Sequence, residues 1–219
     1  MELVTALTFP HLRETARGKA IPPADFYAIL AGVPSVVKQS VFELAYLTGV
    51  RKTQLLLTEL ANVNADEWII TWRGDQTKTG KRTGVPHGLP LDGRSHEIVQ
   101  AAWAQRRPDC RYLFHEGGKP LGLLRSEWNR ACKRAGFPVG RKHGGYVFHN
   151  TRHSAITNMS AAGVPDTVAT TISGHRTLSV FQRYNIVSPE TQRAALRQAQ
   201  TYVQSTGPAP KVAPLRKAG

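Results

Sequence analysis

Cysteine is scarce in this chain: Cys110 and Cys132 are the only two among 219 residues. They form no Cys-x-x-Cys and stand beside no histidine pair at zinc-finger spacing, which argues against a disulfide scaffold or a structural zinc site. Both read as small buried or half-buried residues of a reducing compartment. Long apolar runs are missing too, since no stretch approaches the roughly 20 residues that a membrane-spanning helix needs. The opening Met1-Glu2-Leu3-Val4-Thr5 lacks the basic start and apolar core of a secretion signal, so the cytoplasm is the expected location. Acidic residues are the third shortage. Fifteen Asp and Glu face 29 Lys and Arg, a net charge of +14. Such an excess attracts polyanions, with nucleic acid the leading partner and an acidic membrane surface the second.

What is present is the material of a folded domain. The hydrophobic fraction is 41%, and a chain of this length buries roughly 70% of its unfolded surface without help from disulfides or metals. Residues 1–21 carry breakers and little periodicity, and read as an arm or linker remnant. Residues 22–203 read as one domain, and 204–219 as a basic flexible tail. Pro22-Pro23-Ala24-Asp25 opens a helix to about Leu30, with proline tolerated in the first turn. Ser35 caps a second helix whose apolar stripe runs from Val36 to Leu47 and which Thr48-Gly49 ends. Trp68-Ile69-Ile70-Thr71-Trp72 is a strand by composition. Thr77-Lys78-Thr79 is expected as a second strand and Arg82 to Leu89 as a third, with Gly80-Lys81 turning between them. Everything after Ser95 reads as helical, in segments 95–105, 123–135, 151–162, 165–173, 178–184 and 189–203, with a long flexible loop over 136–145. The fold class is α+β and mostly helical, with a small three-stranded antiparallel sheet.

Chemistry concentrates in six side chains. In chain order they are Arg51, Lys78, His149 and Arg152 of His149-Asn150-Thr151-Arg152, His175 of Gly174-His175, and Tyr184. Each alone is unspecific: Lys78 reads as a solvated lysine, Arg51 as a complement to a helix C-terminal dipole, Tyr184 as an ordinary buried tyrosine. Together they suit attack on a phosphodiester. Two guanidiniums clamp non-bridging oxygens bidentately and stay charged at any working pH. A phenol with a pKa near 10 needs cationic or basic neighbours before it attacks. A lysine on a mobile hairpin has a proton to give to the departing sugar oxygen. His149 and Arg152 stand at i and i+3, which share a helix face. His175 follows the 165–173 helix at a turn expected to expose it.

These residues resemble the ordered signature of the tyrosine site-specific recombinases, the phage-integrase group: Arg, Lys, His-x-x-Arg, Gly-His and Tyr. The resemblance covers about residues 22–203. It implies the catalytic-domain fold of that family. It also implies cleavage of one strand of double-stranded DNA through a 3′-phosphotyrosine, a free 5′-hydroxyl, religation, and no ATP, metal or other cofactor. Arg51 and Arg152 would then hold the scissile phosphate, Lys78 (or Lys81, three residues on) would be the general acid, and His149 would assist proton transfer. His175 would hydrogen-bond the phosphate and Tyr184 would be the nucleophile. The family works as homotetramers on paired sites. Two alternatives stay open: a DNA-binding remnant that no longer cuts, and a relaxation activity like that of a type IB topoisomerase. Three departures are visible. Gln54 stands where an acidic buttress is common, Ser173 stands where leucine is common and reads as a packing change, and only about 21 residues precede the catalytic region where an N-terminal DNA-binding domain is usual.

Overall fold

The computed structural model describes residues 19–77, 80–122, 124–175 and 189–206. Helix α1 (Pro23–Ala31) starts with proline in its first turn, as expected. Helix α2 (Val36–Thr48) is capped by Ser35, whose hydroxyl accepts from the Lys38 amide at 3.3 Å. It stops at Gly49, which adopts a left-handed backbone with φ 71°. A side chain there would also meet neighbours, since a Cβ on Gly49 would lie 3.2 Å from the Ala155 Cβ and 3.3 Å from the Ser173 Cβ. The short α3 (Lys52–Leu56) follows, with Arg51 as its extended N-cap residue.

The sheet is three-stranded and antiparallel as expected, but one strand, at Val63–Asn64, was not expected, only the end of the strand expected over 82–89 forms, and 78–79 of the strand expected at 77–79 lie outside the described residues. It comprises β1 (Val63–Asn64), β2 (Ile69–Trp72) and β3 (His87–Pro90), in that spatial order. Ile70 pairs with Val63 on one side and Leu89 on the other, and Trp72 pairs with His87. Thr77 belongs to no strand. Its hydroxyl accepts from the Gly80 amide at 2.8 Å and its carbonyl from the Lys81 amide at 3.0 Å, which starts the single-turn helix α4 (Gly80–Thr83) where a hairpin turn was expected. A threonine that can cap a helix competes with its own β propensity, and capping wins here. The third strand consequently begins at His87, after Pro86.

Helix α5 (Gly93–Ala104) is capped by Asp92. The stretch after it is not wholly helical: β4 (His115–Glu116) and β5 (Lys119–Pro120) form a small antiparallel hairpin across Gly117-Gly118. Helices α6 (Arg125–Arg134), α7 (Asn150–Ala161) and α8 (Asp166–Ser173) lie within a residue or two of expectation. The 136–145 loop is more ordered than expected, with a 3₁₀ turn at Arg141–His143 and a bridge between Val139 and Tyr146. The expected 178–184 helix lies outside the described residues. Helix α9 (Pro189–Thr206) leaves Leu196, Tyr202 and Val203 exposed.

The core is built where α2 packs along α7 and α5, and α1 along α6. Phe42 sits edge-on to Trp128 and Phe148, with ring centroids 5.2 and 4.8 Å away, and Phe26 stacks on Tyr46 at 3.8 Å. Such pairs contribute about 0.5–1.5 kcal/mol beyond the area they bury. Cys132 is fully buried and Cys110 nearly so, within the expectation of buried or half-buried residues. Lys19 to Ile21, read from sequence as the end of an arm, are fastened to this core. The Asn150 amide donates to the Lys19 carbonyl at 2.7 Å, and the Ile21 amide donates to the Ser154 hydroxyl at 2.8 Å. With α7 thus tied to α2 and to Lys19–Ile21, the turn at Gly49, the start of α7 and the end of α8 meet at one place.

Candidate active site

Four of the six sequence-predicted residues lie among the described residues, and they gather at that meeting point. Arg51 leaves the turn after α2 and donates from Nη1 to the Gly174 carbonyl at 3.1 Å. Its resting partner is therefore the C-terminal end of a helix, though of α8 and not of the α2 that precedes it. Arg152, in the first turn of α7, is 3% exposed. Its Nη1 donates to the Gly49 carbonyl at 2.5 Å and to the Ser173 carbonyl, and its Nε donates to His175 Nε2 at 3.2 Å. The two arginines thus hold adjacent carbonyls, Gly174 and Ser173, at the end of α8.

His175 is not exposed by that turn, contrary to expectation; it is 8% exposed. Gly174 ends α8 in the left-handed region, φ 65°, which drops the His175 amide back onto the Thr170 carbonyl at 3.0 Å and swings the ring inward towards Arg152. Burial first, then the positive charges of Arg152 and Arg51, push the His175 pKa down to about 3. The ring is neutral at any physiological pH. His149 caps the start of α7 and is exposed at the rim. Its pKa is also lowered, by the desolvation it does suffer and by Arg152, Arg141 and Arg51. Arg152, three residues on in the first turn of α7, is near enough for its charge to act on the His149 ring. Lys78 and Tyr184, the expected acid and nucleophile, lie outside the described residues. Lys81 lies in α4, on the segment that follows Lys78.

Sequence reasoning missed His87. Its ring joins β3 to the end of α8: Nε2 lies 2.9 Å from the Thr171 carbonyl and 3.2 Å from that of Ile172. Carbonyls only accept, so Nε2 carries the proton and Nδ1 accepts from the Gln54 amide at 2.7 Å. Gln54, 5% exposed, therefore supports the site as a neutral donor where an acidic residue would have needed a charged partner. The His87 ring stacks on Trp72 with centroids 5.2 Å apart and presses on Gly174, where an added Cβ would fall 2.8 Å from its Cε1. Burial lowers the His87 pKa, with Arg152 and Arg51 adding to the effect against the helix-end carbonyls. One signal for His87 was available: in a strand it shares a face with the buried Leu89, so a polar side chain is aimed inward.

Arg51, Gln54, Thr77, His87 and His175 line an open recess of about 310 Å³. A second, larger hollow of about 570 Å³ is lined by His149 together with Lys52, Arg125, Arg141, Lys142 and His143 among others. The site so assembled is cationic, with two guanidiniums, imidazoles held towards their neutral form beside them and a basic hollow nearby. It is built to receive an oxyanion and to hydrogen-bond it from several directions.

Comparison with known proteins agrees with this geometry. The model of the phage integrase family matches residues 24–191. A tyrosine recombinase XerC of Bifidobacterium longum is 27% identical over 172 residues, covering 73% of this chain and 46% of the relative. A tyrosine recombinase XerA of Pyrococcus furiosus is 28% identical over 159 residues, covering 71% and 52%. The chain thus spans about half the length of these curated relatives. Among solved structures, the catalytic domain of bacteriophage HP1 integrase superposes with a TM-score of 0.60 at 16% identity, covering 88% of this chain and 99% of that one. The Tn1549 transposon integrase in complex with transposon right end DNA gives 0.66 at 16% identity, covering 85% and 68%. At such identities the likeness is one of fold: a mostly helical catalytic domain with a small antiparallel sheet.

Proposed function

Because the chain belongs to the phage integrase family, we propose that it is the catalytic unit, residues 22–203, of a site-specific DNA recombinase that cuts and rejoins strands through a 3′-phosphotyrosine. The observation that carries the reading is the convergence of Arg51 and Arg152 on the end of α8, with His175 hydrogen-bonded to Arg152 and an open recess lined by Arg51, Gly174 and His175.

The chemistry runs as follows. A scissile phosphate enters the recess and exchanges for the carbonyls that the guanidiniums hold at rest. Arg51 and Arg152 take its non-bridging oxygens and stabilise the charge that builds there in the transition state. Tyr184 attacks phosphorus, forming the phosphotyrosine and breaking the bond to the 5′ oxygen of the next nucleotide. Lys78 gives that oxygen its proton, and His149 at the rim assists removal of the phenolic proton. His175 serves the phosphate through Arg152, whose Nε–H it accepts at Nε2. The ester bond is conserved as a phosphotyrosine, so the freed 5′-hydroxyl of another strand reverses the step without ATP. The roles of Lys78 and Tyr184 rest on the family order of the signature.

Double-stranded DNA is the partner, its backbone following the basic hollow beside His149. Assembly on DNA is through homo-oligomers, with the exposed Leu196, Tyr202 and Val203 of α9 available to a neighbouring copy. Among the described residues no helix is long and apolar enough to cross a membrane. The test is formation of a covalent adduct on duplexes that the chain itself selects, lost in Tyr184→Phe and kept in chelator. A second reading, phosphate binding without cutting, draws on the neutral Gln54 in place of an acidic buttress. It predicts the same salt-sensitive binding and no adduct.

A further inference from the structure

We propose that Ser173 is a positioning residue that holds His175 as its Nδ1–H tautomer, so that Nε2 stays an acceptor and orients Arg152. From the sequence, Ser173 reads as a packing change. In the structure it is 1% exposed and its hydroxyl lies 2.8 Å from His175 Nδ1.

Two independent contacts fix the direction of the proton. On one side, the Arg152 Nε–H points at His175 Nε2 at 3.2 Å, and that nitrogen must offer a lone pair to receive it. On the other side, the Ser173 hydroxyl is 2.7 Å from the Ala169 carbonyl one turn back in α8. Its single proton goes there, and only lone pairs are left to face Nδ1. Both ends give the same answer: a one-way relay from Arg152 through His175 and Ser173 to the Ala169 carbonyl. Ser173 holds Arg152 a second time, since its backbone carbonyl accepts from Nη1. The arrangement requires a neutral ring. Burial and the neighbouring charges of Arg152 and Arg51 keep it so.

A side chain without a hydroxyl leaves Nδ1–H buried beside no acceptor from residue 173. The ring then favours the other tautomer, whose Nε2–H opposes the Arg152 Nε–H. Arg152 turns away from the setting it needs before the phosphate arrives. The chemical step slows, while DNA affinity, spread over many phosphate contacts, is held. The cleavage consequence rests on the proposed function; the tautomer does not.

The experiment follows the ring nitrogens of His175 by ¹⁵N NMR in the DNA-free 219-residue chain, with the resonances assigned by their loss in His175→Gln. The expected pattern is pyrrole-like Nδ1 and pyridine-like Nε2 in the unaltered chain and in Ser173→Thr, which keeps a hydroxyl. In Ser173→Ala it moves towards Nε2–H. Single-turnover cleavage at saturating duplex falls about tenfold in Ser173→Ala and recovers in Ser173→Thr, with duplex affinity unchanged. A protonated Nε2 in the unaltered chain, or an unmoved Nδ1–H in Ser173→Ala, overturns the proposal. So does Ser173→Ala cleaving at the full rate. Should the unaltered chain cut no DNA, the proposed function fails and the NMR arm still decides the tautomer.

Discussion

Replacing His87 by alanine tests the idea that a neutral imidazole fastens the sheet to the Gly174 turn. The substitution removes the hydrogen bond from Gln54 and the Nε2–H that the Thr171 and Ile172 carbonyls share. Two hydrogen bonds at about 1 kcal/mol each, and the stack on Trp72 at about 0.5–1.5 kcal/mol, make a loss of about 3 kcal/mol. For a chain of this size that corresponds to a drop in melting temperature of roughly 6–12 °C, read by circular dichroism. A pH series sharpens the test. The His87 pKa is lower in the folded chain than its ordinary value near 6.5, because burial disfavours the imidazolium. Its neutral form therefore contributes fully above about pH 6.5, and the contribution is lost as pH falls towards the folded pKa. The gap between the unaltered chain and His87→Ala should narrow from about pH 8 to about pH 5. An unchanged melting temperature at neutral pH, or a gap that widens on acidification, would refute the reasoning.

Gly174→Ala should lose about 1–2 kcal/mol for the left-handed backbone alone, and more from the 2.8 Å approach of the new Cβ to the His87 ring; denaturant melts measure the sum. In His87→Ala that second contribution disappears, so the two substitutions should be less than additive. Acid should destabilise the chain well before its carboxylates titrate. His175, His149 and His87 all have lowered pKa values, so the unfolded chain binds protons that the folded one refuses below about pH 6.5. Equilibrium unfolding at a series of pH values should show stability falling from there towards the His175 pKa of about 3, and a flat profile between them would contradict the placement of these rings.

The signature was legible because it is a matter of residue identity and order: Arg51, His149-x-x-Arg152 and Gly174-His175 need no distances to be noticed. The helices were legible from their stops, with Ser35 and Gly49 bounding α2 as their chemistry requires. The strands were less so. Thr77 carries the β-branched side chain of a strand former, yet its hydroxyl is worth more as a partner to the Gly80 amide. The hairpin at 115–120 is too short for periodicity to register. The inner wiring of the site was not legible at all. Whether Ser173 packs or hydrogen-bonds depends on where a left-handed glycine throws the next ring. Whether Gln54 weakens the site depends on His87, 33 residues away.

The measurement that bears most directly on the whole account is a covalent trap. Duplexes enriched from a random pool by binding to the chain are nicked beside the candidate cleavage position, so that the freed fragment diffuses away and religation is blocked. The account predicts a protein–DNA adduct that survives denaturation, forms equally in chelator, maps to Tyr184 by peptide mass, and is absent in Tyr184→Phe and Arg152→Ala. An adduct on another residue, a requirement for a divalent ion, or tight binding to the selected duplexes with no adduct at all would contradict it.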